Sequence, residues 1–196
     1  SGFKVAMRDL EIRGPGNVLG AEQHGHMDKV GYELYYKLLK EELTGENAFT
    51  AELDIKTTAY IPEAYVESPA GRMDCYKQIA EIRTVEDYKR VCLSIEDNYG
   101  TMPDEVLNLL IIAVLKSYAS KLNVRKISVN AAEGSLELPS INSLKDVRLA
   151  SALDKYADRV SLSMAKVPLI RFASRSNPAK TMLDMTKFLK FASSFM

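Results

Sequence analysis

The residues best suited to binding chemistry lie in a glycine-rich run between residues 8 and 25. The guanidinium groups of Arg8 and Arg13 can each hold a phosphate or a carboxylate through two parallel hydrogen bonds. The amide of Gln23 can bind a base, a phosphate or a neighbouring backbone group. Four glycines in the run permit positive φ angles and close backbone approach: Gly14, Gly16, Gly20 and Gly25. These residues predict a shaped polar loop between two helical pieces. A phosphate contact and a turn held by ion pairs to Asp9 and Glu11 fit it equally well.

The sequence contains no recognisable catalytic set. There is no GxxxxGK[ST] phosphate loop, and the glycine run does not follow a strand as a dinucleotide-binding loop would. His24 and His26 are the two histidines, and such a pair without further ligands is a poor metal site. Cys75 and Cys92 fall at apolar helix positions, which favours a place in the core. We therefore predict neither catalytic residues nor a metal site.

The composition is that of an ordinary soluble globular protein of one or two domains. Of 196 residues, 46% are hydrophobic and 27% are charged, and the formal net charge is zero. No apolar run is long enough to cross a bilayer, and no leader is visible, so we expect a cytoplasmic location and no membrane partner. The last 31 residues are basic, which favours a solvated helix face over a binding patch. This stretch contains one acidic residue, Asp184, and six basic residues: Lys166, Arg171, Arg175, Lys180, Lys187 and Lys190.

Two segments with different periodicity meet near residue 46. Val30, Leu34 and Leu38 recur at helical spacing after the polar loop, and a small polar stretch follows them. We expect a helical hairpin over residues 1–45, a linker over 46–50 and a second domain over 51–196. In that domain, apolar and charged residues first alternate, as in a half-buried strand: Ala51, Leu53 and Ile55 against Glu52, Asp54 and Lys56.

Helix signals dominate the first half of the second domain. Residues 72–83 have helical spacing, and Thr84 with Asp87 forms a variant capping box for a helix that ends at Gly100. Pro103 suits the first turn of the next helix, whose stretch 106–122 is the most apolar of the chain.

Strand and helix signals are mixed in the second half. Residues 125–131 and 135–138 flank Glu133-Gly134, which predicts a hairpin turning at those two residues. Ser143 is expected to cap a helix whose inner face holds Leu144, Val147 and Leu153. Residues 160–164 and 169–173 predict two more strands. Asn177-Pro178 predicts the start of the last helix, with five residues inward: Met182, Met185, Phe188, Leu189 and Ala192.

These elements do not alternate as βαβ units. The predicted fold class is therefore α+β, with an N-terminal helical hairpin followed by several helices and a small, largely antiparallel sheet.

Several ordered motifs resemble one family. Residues 3–26 resemble the translocation motif shared by the RecG helicase and the transcription-repair coupling factors. Further stretches resemble only the coupling factors: residues 30–39, 59–62, 76–80 and 98–103. The resemblance covers most of residues 3–125. At Pro15 the sequence is closer to RecG, because the coupling factors commonly carry alanine at that position. The assignment to the coupling factors stands because the other stretches fit them.

The resemblance implies a superfamily 2 DNA translocase that uses ATP and magnesium, binds double-stranded DNA, pushes stalled RNA polymerase and recruits the repair protein UvrA. Arg13 and Gln23 match the residues that couple hydrolysis to translocation, and Arg8 lies in the same motif. Gly14, Gly16 and Gly20 match its turn residues. Because the nucleotide-binding lobes are absent from this stretch, we expect no cofactor and no ATPase activity from it alone.

The segment after the linker resembles the regulatory domain that packs against a UvrB-like module and hides the UvrA-binding surface. Such a lock requires polar contacts that can open, and we assign it to Glu96 and Asp97. Ser94 stands where some relatives carry an acid, so the lock here is expected to be weaker or to use other residues. The alternative is a non-enzymatic interaction module that binds a repair or transcription partner.

Overall fold

The computed structural model describes residues 51–195, and these form an α+β fold, as predicted. The predicted hairpin over 1–45 and the linker over 46–50 lie outside the described residues. The described strands and helices, in chain order, are β1 (Glu52–Ile55), α1 (Pro69–Ala80), α2 (Val85–Tyr99), α3 (Asp104–Lys121), β2 (Lys126–Val129), β3 (Glu133–Glu137), a 3₁₀ helix (Ile141–Lys145), α4 (Val147–Lys155), β4 (Val160–Met164), β5 (Pro168–Ala173) and α5 (Pro178–Ser193).

The described residues divide into two compact units. Residues 57–113 form the first, with α1, α2 and the beginning of α3. Residues 51–56 and 114–195 form the second, with the sheet, α4, α5 and the end of α3.

The first unit is built around a buried tyrosine and a buried arginine. Tyr76 is fully buried, and its hydroxyl accepts a hydrogen bond from the backbone N–H of Ile61 at 3.0 Å. The guanidinium of Arg72 donates to the carbonyl oxygens of Val66 and Glu67 at 2.8 and 2.9 Å. These bonds satisfy polar groups that would be costly to bury unpaired. They also fasten the extended segment before α1 to the helix itself.

Local signals set the helix boundaries in this unit. The helix predicted over 72–83 is α1, and it lies three residues earlier because Ser68 accepts from Gly71 N–H at 3.2 Å and Pro69 occupies the first turn. The capping box of Thr84 and Asp87 is confirmed, and α2 stops at Gly100, whose φ of 84° favours glycine.

The second unit is a five-stranded sheet in the order β1-β2-β3-β5-β4. β1 pairs parallel with β2, and the other neighbours pair antiparallel. α5 packs on one face, where the rings of Phe188 and Phe172 meet edge-on with centroids 5.3 Å apart. All five inward residues predicted for α5 are buried. The sequence therefore identified the helix face that forms this core.

Two predictions in the second unit need correction: the predicted hairpin is present as β2 and β3, but its turn lies elsewhere, and one helix begins later than predicted. Glu133 and Gly134 belong to β3, and the turn is made by the preceding residues because Asn130 Oδ1 accepts from the N–H groups of Ala132 and Glu133 at 2.7 and 2.9 Å. This Asx turn places the two turn residues at 131–132, two residues earlier than predicted.

The second error concerns the helix expected after Ser143. A 3₁₀ helix occupies that place, and α4 begins only at Val147 because Asp146 is its N-cap. Val147 is 72% exposed, while Leu149 and Ala152 form the buried face. Among residues 51–195, no helix is long and apolar enough to cross a membrane.

Candidate functional site

The two groups of predicted site residues differ in what the structure shows of them. The translocation-motif positions lie outside the described residues: Arg8, Arg13, Gly14, Gly16, Gly20 and Gln23. Glu96 and Asp97 lie on the last turn of α2, and both are exposed. The candidate site that the structure describes is therefore the C-terminal end of α2.

An exposed leucine stands beside the two carboxylates. Leu93 is 62% exposed and lies three and four residues before Glu96 and Asp97, on the same side of the helix. Val91 and Ile95 hold the opposite side of α2 in the core. We call Leu93, Glu96 and Asp97 the α2 patch. It combines an apolar centre with acidic neighbours, which is the composition of a small protein contact.

Basic side chains occupy the preceding turns of α2. Lys89, four residues before Leu93, is exposed. Arg90 pairs with Asp87, its Nη2 lying 3.0 Å from Asp87 Oδ1. These cations lie between two acidic parts of α2, because its first turn carries Glu86 and Asp87 and its last turn carries Glu96 and Asp97.

Two tyrosines hold the end of α2 in place. The hydroxyl of Tyr65 donates to the carbonyl oxygen of Gly100 at 2.6 Å, and the rings of Tyr65 and Tyr99 lie 6.0 Å apart. Burial, and then the charge of Glu96, raise the pKa of Tyr65, so its hydroxyl keeps the proton that it donates. A side chain at Gly71 would bring Cβ to 2.8 Å from the Tyr99 hydroxyl. The α2 patch thus sits on a braced helix end.

Sequence reasoning assigned no role to Leu93, Tyr65 or Tyr99. The signal for Leu93 was available, because a leucine facing away from Val91 and Ile95 on an amphipathic helix predicts an exposed apolar side chain. The pairing of Tyr65 with Gly100 joins residues 35 apart, and no local pattern reveals it.

Few other groups in the described part of the chain are arranged for chemistry. No group of three or more His, Cys, Asp or Glu side chains within residues 51–195 could hold a metal ion. Burial raises the pKa of the Cys75 thiol to about 11, which keeps it protonated and unreactive at neutral pH.

The basic residues near the C-terminus do not form one patch. Arg171 makes a two-pronged ion pair with Glu133, Nη1 lying 2.7 and 2.8 Å from the carboxylate oxygens. Arg175 lies 3.8 Å from Asp184. Lys180, Lys187 and Lys190 are exposed on α5. This agrees with the solvated helix face favoured from the sequence.

Comparison with known proteins now identifies the family. The model of the TRCF domain matches residues 55–148, a range that holds the whole α2 patch. The chain is 42% identical over 134 residues to the transcription-repair-coupling factor of Bacillus subtilis, covering 65% of this chain. The chain belongs to the transcription-repair-coupling factor family.

Other members of the family match more of the chain at lower identity. The coupling factor of Borreliella burgdorferi is 32% identical and covers 83% of this chain, and that of Escherichia coli is 31% identical and covers 79%. These matches take in 15% and 14% of the relatives, and the B. subtilis match takes in 11%. The chain thus spans only a small part of the curated coupling factors.

A solved structure supports the fold. The crystal structure of the C-terminal domain of a transcription-repair coupling factor superposes with a TM-score of 0.62, covering 75% of this chain and 96% of that chain. At 20% identity this likeness speaks for the fold alone.

Proposed function

We propose that this chain is the C-terminal part of a coupling factor and that its second domain is an autoinhibitory element. The names of the relatives support the place of the chain in the family, and the likeness to a solved C-terminal domain supports its fold. In the proposal, the α2 patch contacts a UvrB-like module elsewhere in the longer protein and thereby hides the surface that binds UvrA.

The same proposal assigns residues 1–45 to the motor. Arg13 and Gln23 would couple ATP hydrolysis to movement along double-stranded DNA, and the longer protein would displace stalled RNA polymerase. The support here is the resemblance of the motif, since the nucleotide-binding lobes are not in this stretch. Magnesium and ATP would be bound by those lobes.

The observation that carries the autoinhibitory role is the exposure of Leu93 beside Glu96 and Asp97 on a braced helix end. A large apolar side chain in water gains roughly 1.5–3 kcal/mol when a partner covers it fully. Exposed ion pairs at the rim of a contact add only about 0–1 kcal/mol each, and they contribute more to specificity than to affinity.

A contact of this kind can hold the protein in its closed state and still be broken when a partner favours the open state. Moving a two-state equilibrium from 1:99 to 99:1 takes about 5.5 kcal/mol of differential binding. One apolar anchor with a few rim charges supplies a part of that amount. Engagement of RNA polymerase by the longer protein would open the lock by binding the open state more tightly, by more than the free energy that the contact contributes to the closed state.

The experiment reverses one charge of the α2 patch in the full-length coupling factor. Asp97→Lys places a cation where the proposed lock needs a carboxylate, and because Asp97 is exposed the fold is expected to tolerate the change. A loss of one or two kcal/mol from the closed state shifts the equilibrium by roughly 5–30-fold. We expect a rise of that order in UvrA binding, measured by surface plasmon resonance with the protein free of polymerase.

Glu81→Lys is the matched control. Glu81 is an exposed acid in the same unit, directly after α1 and away from the end of α2. The Glu81→Lys variant should leave UvrA binding unchanged. If Asp97→Lys behaves like the control, the patch is not the lock. If it lowers UvrA binding, the patch is itself a docking site and the alternative of an interaction module is favoured.

A further inference from the structure

Strand β4 lies at one edge of the sheet, and its outward backbone groups can be assigned. The N–H of Leu138 donates to the carbonyl oxygen of Pro168 at 3.0 Å, which shows that Pro168 turns its backbone towards β3. Hydrogen-bonding direction alternates along an antiparallel strand, so Leu169 and Arg171 turn theirs towards β4.

The register of β4 against β5 then determines which way the backbone N–H and C=O groups of each β4 residue point. Ser163 is opposite Leu169 and Ser161 is opposite Arg171, so these two serines make the hydrogen bonds to β5. Val160, Leu162 and Met164 therefore point their backbone groups away from the sheet. Among the described residues, the only strand that pairs with β4 is β5.

The apolar face of the sheet continues to this edge and remains uncovered there. Leu162 is opposite the buried Ile170 and lies on the same face. It is nevertheless 41% exposed, and Met164 is 53% exposed. An added strand would lengthen the apolar face and could pair with backbone groups that point away from the sheet.

The other edge of the sheet is protected, and β4 is not. β1 carries two carboxylates within four residues, Glu52 and Asp54, and Lys126 Nζ lies 3.9 Å from Glu52. Charged side chains on an edge strand discourage pairing with another chain. The five residues of β4 hold no charge, no proline and no glycine.

The residues around β4 are complementary to themselves in the antiparallel direction. About a centre at Leu162, Val160 falls opposite Met164. Asp158 lies in the turn before β4 and Lys166 in the turn after it, so antiparallel pairing brings the acid of each copy towards the base of the other. Asp158 and Lys166 are both exposed, and Asp158 has Arg159 at 3.8 Å as a solvent-exposed neighbour. We propose that β4 pairs antiparallel with β4 of a second copy of this chain, with the two-fold axis at Leu162.

The backbone geometry of this pairing is consistent. Leu162 exchanges both of its hydrogen bonds with Leu162 of the other copy, as a pair on the axis must. The N–H of Met164 donates to the carbonyl oxygen of Val160 in the other copy. The N–H of Val160 already donates to the Tyr156 carbonyl oxygen at 3.0 Å and is not needed. Apolar side chains of both copies meet on one face, and at each end the turn that carries Asp158 in one copy lies beside the turn that carries Lys166 in the other.

The contact is small, so the dimer is weak. An interface of one strand pair falls below the ~1,200 Å² of stable complexes, and we expect a Kd on the order of micromolar to millimolar. Sedimentation velocity of the 196-residue chain between roughly 1 μM and 1 mM spans that range. The expected result is a sedimentation coefficient that rises with concentration from monomer to dimer.

Leu162→Lys tests the apolar centre. It puts two lysines side by side on the axis, where like charges directly opposite each other disfavour pairing. It should abolish association without changing the circular dichroism spectrum. Val147→Lys is the control, since Val147 is an exposed apolar residue on α4 and not on β4. The Val147→Lys variant should associate as the unchanged chain does.

A charge exchange tests the antiparallel direction of the pairing. Asp158→Lys and Lys166→Asp should each weaken the dimer by roughly threefold to tenfold, because each puts like charges together at both ends. The double variant should restore association. A monomer throughout the concentration range, or a dimer indifferent to Leu162→Lys, overturns the proposal. So does failure of the double variant to restore association, or a change in hydrogen exchange at β4 without any change in mass.

Discussion

At the residue scale, Asp146 shows how one side chain defines a boundary. Its Oδ1 accepts from the N–H of Arg148 at 2.9 Å, which caps α4. Its two oxygens also accept from the Arg148 guanidinium at 2.6, 3.0 and 3.1 Å. The hydrogen bonds from the Arg148 side chain lower the pKa of Asp146, and that from the Arg148 N–H lowers it further.

This predicts a stability effect that depends on pH. A carboxyl group whose folded-state pKa is lowered stabilises the fold above its unfolded pKa, about 3.9 for aspartate, and that contribution disappears as pH falls through the folded value. Asp146→Asn keeps a good cap but removes the charge. We expect it to cost about 1 kcal/mol at neutral pH and progressively less in acid below about pH 4.

Urea denaturation of both proteins across that range measures the difference. Arg148→Gln should show the same convergence with the unchanged protein at low pH, since it removes the partner of the same carboxylate. A difference that stays constant with pH would show that the ion pair contributes nothing and that only the cap matters.

At the element scale, the packing of α5 on β3 depends on the absence of a side chain at Gly134. A Cβ there would lie 2.7 Å from Met185 Sδ and 2.7 Å from Thr181 Cγ2, both on α5. The methionine can move, but Thr181 is buried and branched, and its hydroxyl bonds the Asn177 carbonyl oxygen at 3.4 Å. The helix can approach the strand this closely only over glycine.

Gly134→Ala is therefore expected to destabilise the fold. Overpacking of a buried contact costs typically about 1–3 kcal/mol, and here α5 must shift to accept the methyl group. Urea denaturation at neutral pH measures the loss. Ser135→Ala is the control, because Ser135 is half-buried on the opposite face, and it should stay within about 0.5 kcal/mol. If Gly134→Ala and Ser135→Ala destabilise the fold equally, then α5 shifts to accept the methyl group without a free-energy cost.

At the scale of the whole molecule, the described residues carry substantial cores of their own. In the first unit, buried residues lie on α1, α2 and the start of α3; in the second, they lie on the inner faces of the sheet, α4 and α5. The family match over 55–148 also lies wholly within the described part.

We predict that residues 51–196 fold without the first 50 residues. The shortened chain should unfold cooperatively in urea, with a free energy of unfolding in the ordinary range of about 5–15 kcal/mol. Circular dichroism of the shortened and complete chains is the measurement. A shortened chain without a transition would show that the first 50 residues complete its core.

Most helices and strands could be predicted from the sequence because the signals that set them are local. Thr84 with Asp87, Asn177 with Pro178 and the alternation from Ala51 to Lys56 each act within a few residues, and the structure confirms all three. The errors came where two local signals competed. Asn130 took the turn that Gly134 indicated, and Asp146 took the cap that Ser143 indicated.

The sequence by itself determined the family, the α+β class and the inner face of α5, because these depend on ordered motifs and on periodicity along the chain. The tertiary structure decided what the surface offers. It placed Tyr65 against Gly100 beneath the α2 patch, and it put β4 rather than β3 at an edge of the sheet. Both results depend on which distant segments meet, and that is settled by packing in three dimensions, which no local pattern contains.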